Sequence, residues 1–379
     1  MKKTLLATAV AGAIGATAGA AQAATVYNED GTQLDIYGNI QIAYKSIDTG
    51  SDTEDELFDN GSTVGFKGQH VINPGLMGYF KAEFEHTADE EKSEGGLSSG
   101  DQAYLGLKGN FGDARVGSWD ALIDDWVQDP ISNNEYFDVT DSNSLIAGDD
   151  GVNTQNSDTD REGDKIQYMS PVFGGLQFAV GAQYKGDAEG GFDDEGNPVG
   201  ENVSSSGNAA FFGGAKYTVG SFSVAGVYDN LDNYDGEITG STYSGGPQAG
   251  DDFDAGDQFG VTFQYTMEAL RLAAKYERYE SGNTDYLPDE NRYALGARYG
   301  YGMGDIYGSY QYVDVGGGDL ADTLSDEAQI GDNVDSRNEI VLGATYNISP
   351  AMYTFVEAAW YDKQQDADDG VAVGAVYSF

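Results

Sequence analysis

The chain has 379 residues, with 64 acids against 19 bases and a formal charge of −45. That balance excludes nucleic acid as a partner, because phosphate binding needs positive charge. The absence of cysteine excludes a disulfide scaffold and a cysteine-based metal or redox site, and aromatic residues at 12 % are too many for an acidic disordered chain.

The first stretch reads as a targeting signal rather than part of a fold. Lys2 and Lys3 precede an apolar run from Leu5 to Ala20, and Ala21-Gln22-Ala23 has the A-x-A form of a cleavage site. Residues 1–23 are therefore expected to be a signal peptide and 24–379 the mature domain. No later segment approaches the ~18–20 apolar residues of a spanning helix. The exported chain is then either soluble or a closed β-barrel, whose signal is spread over alternating strands.

The mature chain alternates with period two. The first such segment, Gln33 to Ile47, sets Leu34, Ile36, Ile40, Ile42 and Tyr44 against Gln33, Asp35, Tyr37, Gln41 and Lys45. The tenth sets Phe259, Val261, Phe263 and Tyr265 against Gln258, Gly260, Thr262 and Gln264. The last runs to Phe379, with Val371, Val373, Ala375 and Tyr377 on one face. Such alternation marks strands with one apolar face. Residues 101–108 and 351–362 carry apolar groups on both parities, which points to burial against another subunit.

Connections alternate between short and long. Seven short ones fall at 71–75, 110–113, 171–175, 218–221, 267–269, 302–304 and 347–350. Eight long ones fall at 48–60, 88–100, 119–162, 187–206, 231–256, 281–290, 316–335 and 363–369. This predicts sixteen strands, an even number that leaves both termini on one side and lets the sheet close. The long loops hold 46 acids and three bases, against 18 acids and 14 bases in the rest of the mature chain. A soluble sandwich has no reason to place its charge at every second connection, whereas a barrel held in lipid with one end facing outward does. The expected fold is all-β, a transmembrane antiparallel β-barrel of sixteen strands.

Three local patterns carry possible chemistry. Gly96-Leu97-Ser98-Ser99-Gly100 matches the G-x-S-x-G form of serine hydrolases, but that form needs a strand-to-helix turn. Here it falls in a polar loop, and the only histidines are His70 and His86. Asn156, Asp158 and Asp160 resemble the opening of a calcium loop, yet Arg161 stands where glycine is required. No cofactor is expected; weak Ca²⁺ or Mg²⁺ binding by the acidic loops stays open. In 119–162, Trp119, Leu122, Ile123, Trp126 and Val127 recur at helical spacing, with Asp120 and Asp124 on one flank and Asp125 and Asp129 on the other. A structureless insertion of this length is usually functional. Leaving two tryptophans in water is unfavourable, so this third long loop is expected to fold inward.

Taken together, these residues resemble the general diffusion porins of Gram-negative outer membranes, trimeric sixteen-stranded barrels. The resemblance rests on Val26-Tyr27-Asn28-Glu29-Asp30-Gly31, Leu34-Asp35-Ile36-Tyr37-Gly38, Gly65-Phe66-Lys67-Gly68, Tyr104-Leu105-Gly106-Leu107-Lys108, Phe111 to Gly117, Arg161 with Tyr168-Met169-Ser170-Pro171, and Val376-Tyr377-Ser378-Phe379. It implies a constriction in which acids on the inward loop face bases on the wall. The acidic candidates are Glu135, Asp129, Asp124 and Asp138; the wall candidates are Arg161, Lys45, Lys67, Lys81 and Lys165. The usual Pro-Glu-Phe-Gly-Gly-Asp run of the loop is absent, and Asn39, Thr63 and Asp101 stand where other members carry bases. Tyr377 and Phe379 are implied as an insertion signal for the barrel-assembly machinery. The implied partners are two further copies of the chain, outer-membrane lipid and lipopolysaccharide, small hydrophilic solutes and cations.

Nothing in these residues needs catalysis. A channel with acidic mouths and few wall bases is expected to favour cations, and such charge density suits a salt-adapted bacterium, because salt screens it. A solute-specific porin and an adhesin or structural barrel are the alternatives.

Overall fold

The structure is a computed structural model that describes residues 23–90, 97–127, 135–137, 139, 163–184, 203–205, 207–238, 250–282, 289–316 and 336–379. The expected signal peptide lies outside the described residues except for Ala23.

Antiparallel pairing runs through one closed sheet of sixteen staves. In chain order they are β1 (Thr32–Asp48), β2 (Thr53–Asp59 continued by Thr63–Asn73), β3 (Leu76–His86), β4 (Leu97–Gly109), β5 (Gly112–Ser118), β6 (Lys165–Met169), β7 (Leu176–Tyr184) and β8 (Ala209–Val219). The remaining staves are β9 (Phe222–Asn230), β10 (Asp257–Met267), β11 (Leu270–Glu280), β12 (Asp289–Gly300), β13 (Asp305–Gly316), β14 (Arg337–Ser349), β15 (Met352–Trp360) and β16 (Gly370–Ser378). The barrel closes where Asn39–Ile47 of β1 pairs with 370–378 of β16. A short N-terminal strand, Ala24–Glu29, pairs with the start of β1 and so extends the β16 row beyond the chain end. Phe379 completes the seam by exchanging two backbone hydrogen bonds with Gly38, at 3.1 and 3.0 Å.

Closure gives every strand a partner on both sides, so the apolar faces can point outward into lipid without leaving unpaired backbone. Leu295, at 62 % exposure, lies on the face the alternation assigned to lipid, and Leu105, Ile166 and Phe211 are likewise each at least 60 % exposed. The opposite parity, which faces the lumen, carries Gln258, Lys275, Glu277, Gln311, Arg337 and Glu339, all buried.

Two expected loops are shorter than the sequence suggested. The stretch 48–60 is strand from Thr53 to Asp59, paired residue for residue with β1, and Leu97–Gly100 of the 88–100 stretch belongs to β4. Acidic residues read there as loop because lipid-band strands exclude charge, but strands that continue past the lipid can carry it. The G-x-S-x-G match therefore enters a strand and has no following helix. The 231–256 stretch contributes to a small separate sheet of Val203–Ser205, Gly236–Ile238 and Asp252–Phe253.

Candidate functional site

The inward loop begins directly after β5. Its helical spacing produces one short helix, α1 (Leu122–Trp126), whose turn is closed by Asp125 N–H donating to the Ala121 carbonyl and Val127 N–H to that of Ile123, at 3.0 and 2.7 Å. The apolar stripe lies on the inner wall: Leu122, Ile123, Trp126 and Val127 pack with Ala179 of β7, Phe212 of β8, and Ala225 and Val227 of β9. Two wall glycines make room for it. A Cβ on Gly260 would lie 2.7 Å from Cγ1 of Val127, and one on Gly214 would meet the Gly226 carbonyl at 2.8 Å and Cγ2 of Val227 at 2.9 Å as well as Cε3 of Trp126 at 3.1 Å.

Polar contacts tie down the flanks of this first segment. The Gln102 amide of β4 donates to both carboxylate oxygens of Asp120 at 2.8 Å. Arg115 of β5 lies with its guanidinium carbon 4.3 Å from the Trp119 ring centroid and its Nη2 3.6 Å from Oδ2 of Asp125. Burial raises the Asp125 pKa while the Arg115 charge opposes that rise. Lys165 of β6 is buried and donates to the backbone carbonyls of Trp119 and, at 3.0 Å, Asp120.

The loop meets the wall again at Glu135–Phe137 and Val139, on the far side of the barrel. Phe137 and Val139 pack into a cluster with Ala43, Tyr307, Val341, Phe355, Ala359, Tyr361, Ala372 and Val376. Beneath them Glu357 of β15, fully buried, accepts the backbone N–H groups of Glu135, Tyr136 and Phe137 at 2.8, 2.8 and 3.1 Å. The hydroxyl of Tyr307 also donates to it. Gln311 donates to the Val139 carbonyl, and Asn60 donates to the Glu135 carbonyl at 2.7 Å. A carboxylate satisfied by several donors is well held even in a poorly hydrated place. This loop contact also accounts for the apolar residues on both parities of 351–362. Phe355, Ala359 and Tyr361 face the loop inside the barrel, so no second subunit is needed to bury them. Tyr104 likewise faces inward, edge-on to Trp119 at 5.8 Å between centroids.

The Glu135 carboxylate accepts from the Tyr353 hydroxyl at 2.8 Å. Burial pushes its pKa up to about 7; the Tyr353 hydrogen bond opposes that, and the neighbouring Glu357 charge adds to it. Asp124 is half-buried on α1. Asp129, Asp138 and Arg161 lie outside the described residues. Lys45 pairs with Glu54 and Glu56 of β2 at 3.5 and 3.0 Å, so nearby carboxylates offset its charge. Lys81 is held by Glu83 and Gln102, each at 2.9 Å. Lys67 is exposed on the lumenal face, its Nζ 4.1 Å from the Tyr37 ring centroid. Lys165 anchors the loop entrance rather than facing open lumen. Among the described residues, no three histidines or acids gather as a metal-binding group.

Sequence reading missed three important wall residues. Arg115 and Arg298 were visible as bases on the lumenal parity. Glu357 stood as the one acid among Tyr353, Phe355, Ala359 and Tyr361, and an isolated acid on an apolar face was the available signal.

The comparisons follow the same geometry. A model of the Gram-negative porin family matches residues 7–367. The chain is 51 % identical to the "Monosaccharide porin" of Halomonas sp over all of both chains, and 28 % identical to "Outer membrane porin N" of Escherichia coli over 96 % of each. The OmpF structure of Salmonella typhi superposes with a TM-score of 0.65 at 21 % identity, over 94 % of this chain and 100 % of that one. The protein thus belongs to the Gram-negative porins, as a sixteen-stranded barrel of the outer membrane.

Proposed function

We propose that this porin is a passive, cation-preferring channel for small hydrophilic solutes, narrowed by the 119–162 loop. The observation that carries the reading is the pinning of 135–137 to the buried Glu357, on the opposite wall from α1. Contacts of one loop with both walls support a narrowing of the lumen between them. In this reading Glu135 and Asp124, with Asp129 and Asp138, form the acidic side. Lys67, Lys81, Lys45 and Lys165, with Arg161, form the basic side, and most of the described wall bases lie beside carboxylates or carbonyls. Cation preference follows from that local offset and from the acidic loops.

Residues 1–23 act as the export signal in this proposal. The working unit is a homotrimer embedded in outer-membrane lipid and lipopolysaccharide, and Tyr377 and Phe379 present the insertion signal to the assembly machinery. The test is planar-bilayer recording with a size series of neutral solutes and a reversal potential across a salt gradient. A graded cut-off with cation preference is expected; an anion-directed reversal potential would refute the selectivity, and absence of conductance would point to an adhesin or structural barrel. The name of the Halomonas relative favours a second reading, in which sugars bind during passage. Saturable block by a monosaccharide would select that reading over simple diffusion.

A further inference from the structure

The lumenal wall carries an unexpected basic pair near its short-turn end, which in such barrels faces the periplasm. Arg271 of β11 and Arg298 of β12 stand directly opposite one another in the ladder. Both face the lumen and both are buried, at 7 % and 5 % exposure. Like charges directly opposed across a ladder destabilise it, and burying guanidinium groups adds a desolvation cost. Lys216 of β8 lies within Coulombic reach of Arg271, which adds to the repulsion. In a protein of charge −45 this convergence of bases is not a by-product of composition.

The pair lines a cavity of about 230 Å³ together with Thr266, Glu268, Asp305 and Asn347. Asp305 lies 3.4 Å from Nη2 of Arg298, and Glu268 sits exposed in the turn, where water screens its charge. The Tyr307 ring holds the Arg298 guanidinium from one side, with its carbon 4.7 Å from the centroid. The site therefore combines two planar donor forks, one of them oriented by an aromatic ring. Guanidinium forks match the paired oxygens of phosphate and carboxylate groups.

We propose that this cavity is a binding subsite for a small oxyanion, a phosphate or carboxylate carried by a solute, entered from the periplasmic end of the channel. The proposal rests on the channel reading, and its test separates the two. Purified protein is inserted in a planar bilayer, and inorganic phosphate is added to each side in turn at constant ionic strength, with chloride as the balance. Phosphate on the short-turn side should reduce current saturably, with a weaker effect from the other side. The Arg271→Gln/Arg298→Gln variant should raise the half-effect concentration roughly tenfold, equivalent to ~1.4 kcal/mol. Asp305→Asn should lower it by removing the competing carboxylate, and the single Arg271→Lys variant should show an intermediate loss, since charge is kept without the fork. Equal effects from both sides, or an unchanged half-effect concentration in the double variant, would overturn the subsite. If the wild type conducts no current, the channel reading fails; calorimetric titration of the folded barrel with phosphate then decides the subsite by itself.

Discussion

Glu357 and Glu135 lie side by side but do opposite work. Glu357 accepts from three backbone N–H groups and a tyrosine hydroxyl, so it ties the loop tip to the wall. Glu357→Gln keeps the size but loses the charge and one acceptor. Hydrogen bonds to a charged group contribute ~1.5–3 kcal/mol each, so the loop tip should detach for part of the time while the barrel stays folded. Larger and noisier single-channel conductance would show this; an unchanged open-channel trace would mean the contact does not hold the loop. Glu135 has its pKa raised to about 7 by burial, above the ~4.3 of an unperturbed glutamate. A raised carboxyl favours the docked loop most strongly below the unperturbed pKa, and that contribution is lost as pH rises through about 7. The charge gained over the same interval should increase cation preference between roughly pH 6 and 8. Reversal potentials measured across that range should shift in wild type and stay flat in Glu135→Gln. Glu135 was singled out through the resemblance to the porin loop, but its partner Tyr353 is 218 positions away. No local pattern can report so distant a contact.

At the scale of elements, the loop's helical spacing announced α1, and the reluctance of tryptophan to face water announced its inward side. The wall that receives it was not legible, because Gly214 and Gly260 read as ordinary small lumenal residues until Trp126 and Val127 are seen above them. Strand ends were misread where acidic residues continue a strand past the lipid, as in Thr53–Asp59, because hydropathy marks the lipid band and not the end of hydrogen bonding. The receiving glycine is directly testable. Gly260→Leu places a side chain where Val127 sits, and over-packing a close-fitted contact costs ~1–3 kcal/mol. The cost should fall on the docking of α1 rather than on the barrel, whose β9–β10 and β10–β11 ladders do not depend on that face. Thermal unfolding of the barrel should stay near wild type while the size cut-off for neutral solutes rises. A large fall in barrel stability with an unchanged cut-off would show that Gly260 serves the wall itself.

Across the whole molecule, the alternation of short and long connections was enough to reach sixteen strands, because a fully antiparallel sheet closes on itself only with an even count and lipid forbids an open edge. The charge distribution was equally plain, and it leads to the broadest expectation. With 34 acids in the long stretches other than the inward-folding one, the long-loop end carries a dense like charge, including strand residues such as Glu54 and Glu56 that face Lys45. At ~0.1 M salt the Debye length is ~10 Å and these charges repel across loops; near ~1 M it is ~3 Å and they largely do not. Two quantities should therefore move together as salt is raised. Cation preference should shrink, because screening removes the field that concentrates cations at the mouth, and the folded assembly should resist heat better, because self-repulsion is relieved. A constriction-controlled channel would keep most of its selectivity in high salt, since charges beside the loop act at contact distance. Reversal potentials at a fixed concentration ratio, measured at low and high mean salt in wild type and in a variant with neutralised outer loops, separate the two sources. Strong salt dependence that disappears on neutralisation assigns selectivity to the mouth. Weak dependence in both assigns it to the pore loop, and equal thermal stability at both salt levels would remove the basis for a salt-adapted design.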